Sequence, residues 1–216
     1  MMLAALVAVT IPSPSPSPGE RELPTIVTVI SSPYCNSLAD HFNGAMLPML
    51  ANDRVLDQTS VQLDNINSLF DYPNFTQRFL QTRDQIGKEE VTLNKSLSNI
   101  AHNIADLRAG AALSTDAQAK ATVEQASWEL QAAYDHQRQV AIDLQDMYWT
   151  MMNYKIWRAN PALGGFDQRE MEQPPEMRDV KSYLHFNAQR ATIDQNEDKA
   201  VDVAYTAAQT YCTPKK

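Results

Sequence analysis

Few side chains in this sequence combine the type and the spacing that chemistry requires. The four histidines (His41, His102, His136 and His185) are scattered, and the two cysteines, Cys35 and Cys212, stand far apart. A helical core can hold a di-iron centre through Glu-x-x-His pairs on facing helices. No such pair occurs here, and neither does HExxH, CxxC, CxxCH, a glycine-rich phosphate loop, GxSxG or an EF-hand loop. No catalytic residue, metal ligand set or cofactor is therefore expected, and no enzymatic activity. A Met/His haem pocket is the nearest alternative, because His102 and Met46 fall near one end of two predicted helices. With nine methionines in the chain, such a pairing arises readily by chance.

Two further groups stand out. Asn52, Glu90, Gln137 and Asp194 interrupt apolar rows at comparable heights, taking about 1.5 Å of rise per helical residue. A polar layer there either binds an ion or small polar ligand, or fixes the register of the helices. The second group is Met147, Tyr148, Trp149, Met151, Met152, Tyr154, Ile156 and Trp157, apolar or aromatic nearly all round a helix. Tyr148, Trp149, Met152 and Trp157 are the candidate interaction residues, since aromatic and methionine side chains favour adaptable interfaces. The competing expectation is burial under the adjoining loop. Two glycosylation sequons, at Asn74 and Asn94, matter only in a eukaryotic secretory pathway.

The elements that position these residues are helices. Only six glycines occur in 216 residues, and between Met49 and Asn160 the only proline is Pro73; a β-rich fold needs many more turn residues. The spacing predicts an all-α, antiparallel up-down-up-down four-helix bundle over 35–212, with helices at about 36–70, 75–113, 115–157 and 175–211. In the third, Val123, Leu130, Leu144 and Met151 form one row and Ala126, Ala133, Val140, Met147 and Tyr154 the next, a coiled-coil-like heptad seam. The second repeats Ile86, Leu93, Ile100 and Leu107 beside Leu97, Ile104 and Ala111. The first carries Phe42, Met46, Met49, Leu56, Leu63, Ile66 and Phe70, with a kink expected at Pro48. The fourth is expected to open at Pro174-Pro175 and to bury Met177, Leu184, Ala188, Ala191, Val201, Ala204 and Ala208. Thr115 and Gln118 fit a capping box at the start of the third.

Upstream, residues 1–18 comprise a short apolar run, MMLAALVAVT, and a Pro/Ser spacer of polyproline type. The run is too short to span a bilayer and resembles the apolar part of a secretory signal peptide without its basic flank. Residues 19–34 read as an extended or mobile arm. An even number of antiparallel helices returns the chain to its starting end, so Cys35 and Cys212 are predicted to meet in a disulfide. That bond needs an oxidising compartment, which agrees with an exported, periplasmic or extracellular protein. The net charge of −8 and the lack of any Lys/Arg cluster exclude nucleic acid as an expected partner. No integral membrane segment is expected in the mature chain. The expected partner is another protein or a second copy, and the leading functional expectation is a non-enzymatic interaction or structural module. The alternative is a small-ligand or haem carrier using the bundle core.

Overall fold

Ser32 and Pro33 start the first helix. The Ser32 hydroxyl accepts a hydrogen bond from the Cys35 amide at 3.1 Å, and proline at the first helical position gives up a donor that no helix would use. The computed structural model describes residues 25–68, 75–152 and 181–214, and these form four helices with no strand among them. They are α1 (Pro33–Ser68), α2 (Phe75–Ala111), α3 (Ala117–Met152) and α4 (Lys181–Tyr211). The apolar run and spacer of 1–18, Phe70, the turn at 71–74, Tyr154, Ile156, Trp157 and the Pro174-Pro175 start of the fourth helix lie outside the described residues. α1 continues through Pro48.

The helices pack as an antiparallel four-helix bundle. As residue number rises along α1 it falls along α2: Ser37 lies against Gly110, Gly44 against Asn103, Asn52 is bonded to Ser96 and Thr59 to Glu89. α3 and α4 form the most extensive pair, and α2 packs on both α1 and α3. In α1, α2 and α3 the described core residues follow the predicted rows. In α3, Val123, Ala126, Leu130, Ala133, Gln137, Val140, Leu144, Met147 and Met151 are buried at strictly alternating steps of three and four. Each large apolar side chain removed from water contributes about 1.5–3 kcal/mol, which is what offsets the cost of ordering such long helices.

Three local expectations are corrected. Asp116, rather than Thr115, caps α3: its Oδ1 accepts from the amides of Gln118 (2.8 Å) and Ala119 (3.0 Å), while Thr115 is exposed. α2 buries Glu89 rather than Glu90, because the steps Glu89–Leu93–Leu97 are both four residues, a stutter that shifts the seam by one position. In α4 the buried face is Tyr183, Phe186, Ile193, Glu197, Ala200, Ala204 and Ala207; Ala208 is also buried, but Leu184 is 58% exposed, as are Ala188 and Ala191. Half-buried Arg190 and buried Glu197 occupy core positions there and break the apolar period.

Of the arm, residues 25–32 are described and lie against the bundle. Ile26 is buried, and its N–H and C=O are matched by the Asn43 side-chain amide, both at 2.9 Å, as a neighbouring strand would match them. The Val29 and Ile30 amides donate to the Cys212 carbonyl. Cys35 and Cys212 form the predicted disulfide, joining Cα atoms 5.6 Å apart across 177 residues of sequence. Beside it the buried Tyr34 hydroxyl donates to the Ala119 carbonyl at 3.0 Å. Burial, with smaller contributions from Tyr211 and Asp116, pushes that phenol up to about 12.

Two outcomes are expected. Replacing both cysteines by alanine should cost about 2–4 kcal/mol in urea unfolding, the usual range for such a cross-link; an unchanged midpoint would mean that the bond adds nothing to the packed helices. The two glycines facing each other's helices should respond oppositely. At Gly110 an added Cβ would lie 2.8 Å from the Ser37 Cβ, which is fixed to its backbone, so Gly110→Ala should destabilise by about 1–3 kcal/mol. At Gly44 the obstruction is the rotatable amide of Asn103, so Gly44→Ala should approach the roughly 1 kcal/mol gained from helix propensity. Equal effects at the two sites would contradict this reading of the α1–α2 contact.

Candidate functional site

A polar layer crosses the middle of the bundle and touches all four helices. The Ser96 hydroxyl of α2 donates to Asn52 Oδ1 of α1 at 2.9 Å, and Asn52 Nδ2 donates to Gln137 Oε1 of α3 at 2.9 Å. Gln137 Nε2 in turn faces the Met49 carbonyl (3.1 Å), Asp53 Oδ1 (3.0 Å) and Glu197 Oε1 of α4 (3.4 Å). Gln137 and Glu197 are fully buried. A buried amide left unsatisfied costs about 1–3 kcal/mol per group, so this network specifies which heights of the helices meet.

Of the four residues expected in this layer, the structure joins Asn52 and Gln137 directly. Asp194 is exposed, but its carboxylate converges with those of Asp53 and Glu197, all within 4.8 Å. Glu90 belongs elsewhere: it accepts from Asn94 on its own helix and lines a surface groove. Glu89, not anticipated, is the buried carboxylate of α2 and is bonded to Thr59 and, at 2.7 Å, to Gln85. Three converging carboxylates are a donor set that suits a hard cation. Two of them, Asp194 and Asp53, act electrostatically on Arg190. Burial lowers the Arg190 guanidinium's pKa, while Asp194 and Asp53 act to raise it. The same guanidinium is bonded to Asp57 of α1 and lies 5.9 Å from the centre of the Phe186 ring.

A second polar chain joins α3 to α4 toward the far end. Asp143, 5% exposed in its side chain, accepts from His185 Nδ1 with both carboxylate oxygens, at 2.8 and 2.9 Å. Gln189 Nε2 faces His185 Nε2 at 2.9 Å, and Gln189 Oε1 is bonded to His136 Nδ1. The other two histidines are on the α1–α2 side. His102 has a 74% exposed side chain and pairs with Asp106, which also lies 3.9 Å from His41. Since Met46 is buried, the Met/His pair considered from sequence is not brought together inside the bundle.

Exposed apolar side chains are spread over the bundle, Trp128 of α3 among them, and one group lies at the far end of α3. Trp149 is 54% exposed and Met152 41% exposed, while Tyr148 is half-buried and packs edge-on to Trp149 with ring centres 5.6 Å apart. Tyr148 reaches α2 because position 87 is glycine; a Cβ there would stand 2.9 Å from its ring. The two helices leave a groove of about 710 Å³ lined by Gly87, Val91 and Tyr148 among apolar groups and by Asp84, Lys88 and Glu90 among charged ones. Val91 is 63% exposed at its rim. Trp157, the fourth expected patch residue, lies outside the described residues. Ile142, seven residues before Trp149, continues the exposed line on α3.

Comparison with protein-family models, curated proteins and solved structures found no match. Among the described residues no helix is long and apolar enough to cross a membrane.

Burial is the largest influence on Asp143 and pushes its carboxyl above the ordinary 3.8, with hydrogen bonds from His185 and Gln139 opposing and Asp146 adding to the rise. The folded chain then holds this proton more tightly than the unfolded chain. Its contribution to stability falls as pH rises from 3.8 through the raised value. Asp143→Asn keeps an oxygen for the His185 Nδ1–H and cannot ionise. In urea unfolding between about pH 3 and 7, the difference between the variant and the native protein should move in favour of the variant as pH rises. A difference moving the other way would show that the carboxylate is a net stabiliser.

Proposed function

We propose that the protein is an exported, disulfide-clasped helical bundle acting as a non-enzymatic interaction or structural module of the cell envelope or extracellular space. In this reading it engages a protein partner through the far end of α3. The observation that carries it is the exposure of Trp149 and Met152 at the far end of α3, where Trp149 packs against Tyr148, a residue that lines the groove between α2 and α3. Large apolar side chains on a solvated helix face lose solvation free energy until something covers them, and tryptophan and methionine contribute strongly when that something is a partner protein. The disulfide supports a location outside the reducing cytosol, where such bonds persist. The alternative of a core carrier has weaker support, because His102 stands on the surface while Met46 is buried.

The test is crosslinking in native cells followed by capture of the protein, comparing it with Trp149→Ser/Met152→Ser. Both side chains are exposed, so the double variant should fold with native helix content. One or more crosslinked proteins captured with the native chain should fall at least tenfold with the variant. Identical partner lists from both would remove the α3 surface as the contact.

A further inference from the structure

The chain Asp143–His185–Gln189–His136 has a definite polarity, and the carboxylate sets it. Ionised Asp143 can only accept, so His185 carries its proton on Nδ1 and presents a lone pair at Nε2. That lone pair faces the amide nitrogen of Gln189 at 2.9 Å. The amide oxygen then points at His136, which must donate from Nδ1. Each member is satisfied, and the Nδ1 proton of His136 is set by a carboxylate on another turn of α3 through two side chains of α4, while its Nε2 is left unconstrained.

A primary amide presents nearly the same shape after a half-turn about its last bond, with donor and acceptor exchanged. We infer that the α3–α4 seam carries a proton-operated amide switch: one proton taken up by His185 reverses the Gln189 amide and moves the His136 proton from Nδ1 to Nε2. The balance is simple. A proton from solvent adds to His185 Nε2, which becomes a donor and requires the amide oxygen. The amide NH₂ now faces His136 Nδ1, which must give up its proton to solvent, while Nε2 takes one from solvent. Net uptake is one proton, and every hydrogen bond is re-formed. A second proton has no such arrangement, because a doubly protonated His136 and the reversed NH₂ group would meet donor to donor. The chain therefore accommodates one added proton and is broken by two.

The surroundings suit this. From α3, Asp146 acts electrostatically on Asp143, to which Gln139 is also bonded. From α4, the neighbouring Arg190 is bonded to Asp57 of α1, and Tyr183 to Asp64 of α1. Among the described residues α2 does not pack on α4. The His185 side chain is 42% exposed and His136 is half-buried, so both exchange protons with solvent. The switch is independent of the partner-binding reading.

Two-bond proton–nitrogen spectra of the ¹⁵N-labelled protein distinguish the tautomers of each imidazole and test this directly, recorded from about pH 8 to 5 where histidines titrate. At the upper end both His185 and His136 should show the Nδ1–H form. As His185 gains its second proton, His136 should change to the Nε2–H form while still neutral. In Gln189→Ala, checked for native helix content, the His136 tautomer should no longer follow His185. The inference is overturned if His136 keeps its Nδ1 proton while His185 becomes doubly protonated, or if the coupled change survives in Gln189→Ala. If Gln189→Ala fails to fold, the native spectrum alone decides.

Discussion

The side-chain amide of Gln137 is sealed from solvent, and the relative heights of the four helices depend on how it is satisfied. Heptad rows alone tolerate an axial slip of seven residues, about 10 Å, because Leu, Val and Ala present similar surfaces at each repeat. Such a slip would separate Gln137 from Asn52, the Met49 carbonyl, Asp53 and Glu197 at once. It would strand several buried polar groups, each at a cost of about 1–3 kcal/mol. An apolar residue at this position would pack as well and discriminate less. The layer is best understood as specifying one register among several of comparable hydrophobic burial.

On either side of that layer the bundle has different characters. Toward the clasp, the α3–α4 contact is built largely from alanine: Ala119, Ala126 and Ala133 on one helix, Ala200, Ala204 and Ala207 on the other, all buried. Small side chains let the two axes approach closely, and Phe42 and Met46 of α1 supply bulk to that core. Toward the opposite end, Glu89, Asp143 and Arg190 turn inward and Tyr183 is bonded to Asp64. Polar groups at these positions need partners on neighbouring helices, and they find them. Exposed Trp149 and Met152 of α3 occur at this same end, whereas Trp128, also exposed, lies on the clasp side with the Arg108 guanidinium over its ring.

How much of this is legible in the sequence depends on whether the period is broken. α3 keeps strict three-four alternation, and its core could be read residue by residue. α2 reads correctly until its seam shifts at Leu93, which moves the buried carboxylate from Glu90 to Glu89. α4 misleads because alanine suits either face and because Arg190, Asn196 and Glu197 sit inward; the bulky Tyr183, Phe186 and Ile193 alone carry its true phase. The cysteine pairing is legible from topology, since four antiparallel helices return the chain to its origin. Half of the polar layer shows as interruptions in apolar rows. Asp53 and Glu197, and the whole Asp143–His185–Gln189–His136 chain, do not: their relation lies between helices, and no spacing along one helix records it.

The covalent closure has a mechanical side. From Ile26, held beside Asn43, the arm runs to the clasp pole, where the Cys212 carbonyl is bonded to Val29 and Ile30 and the sulfurs join α1 to α4. A pull between the arm and the residues after Cys212 is therefore carried across the Cys35–Cys212 bond once Ile26 has left Asn43, and the four helices between them bear no load. With its sulfurs joined, the domain behaves under tension as a short covalent link, and the opposite pole stays folded and free to face whatever lies beyond it.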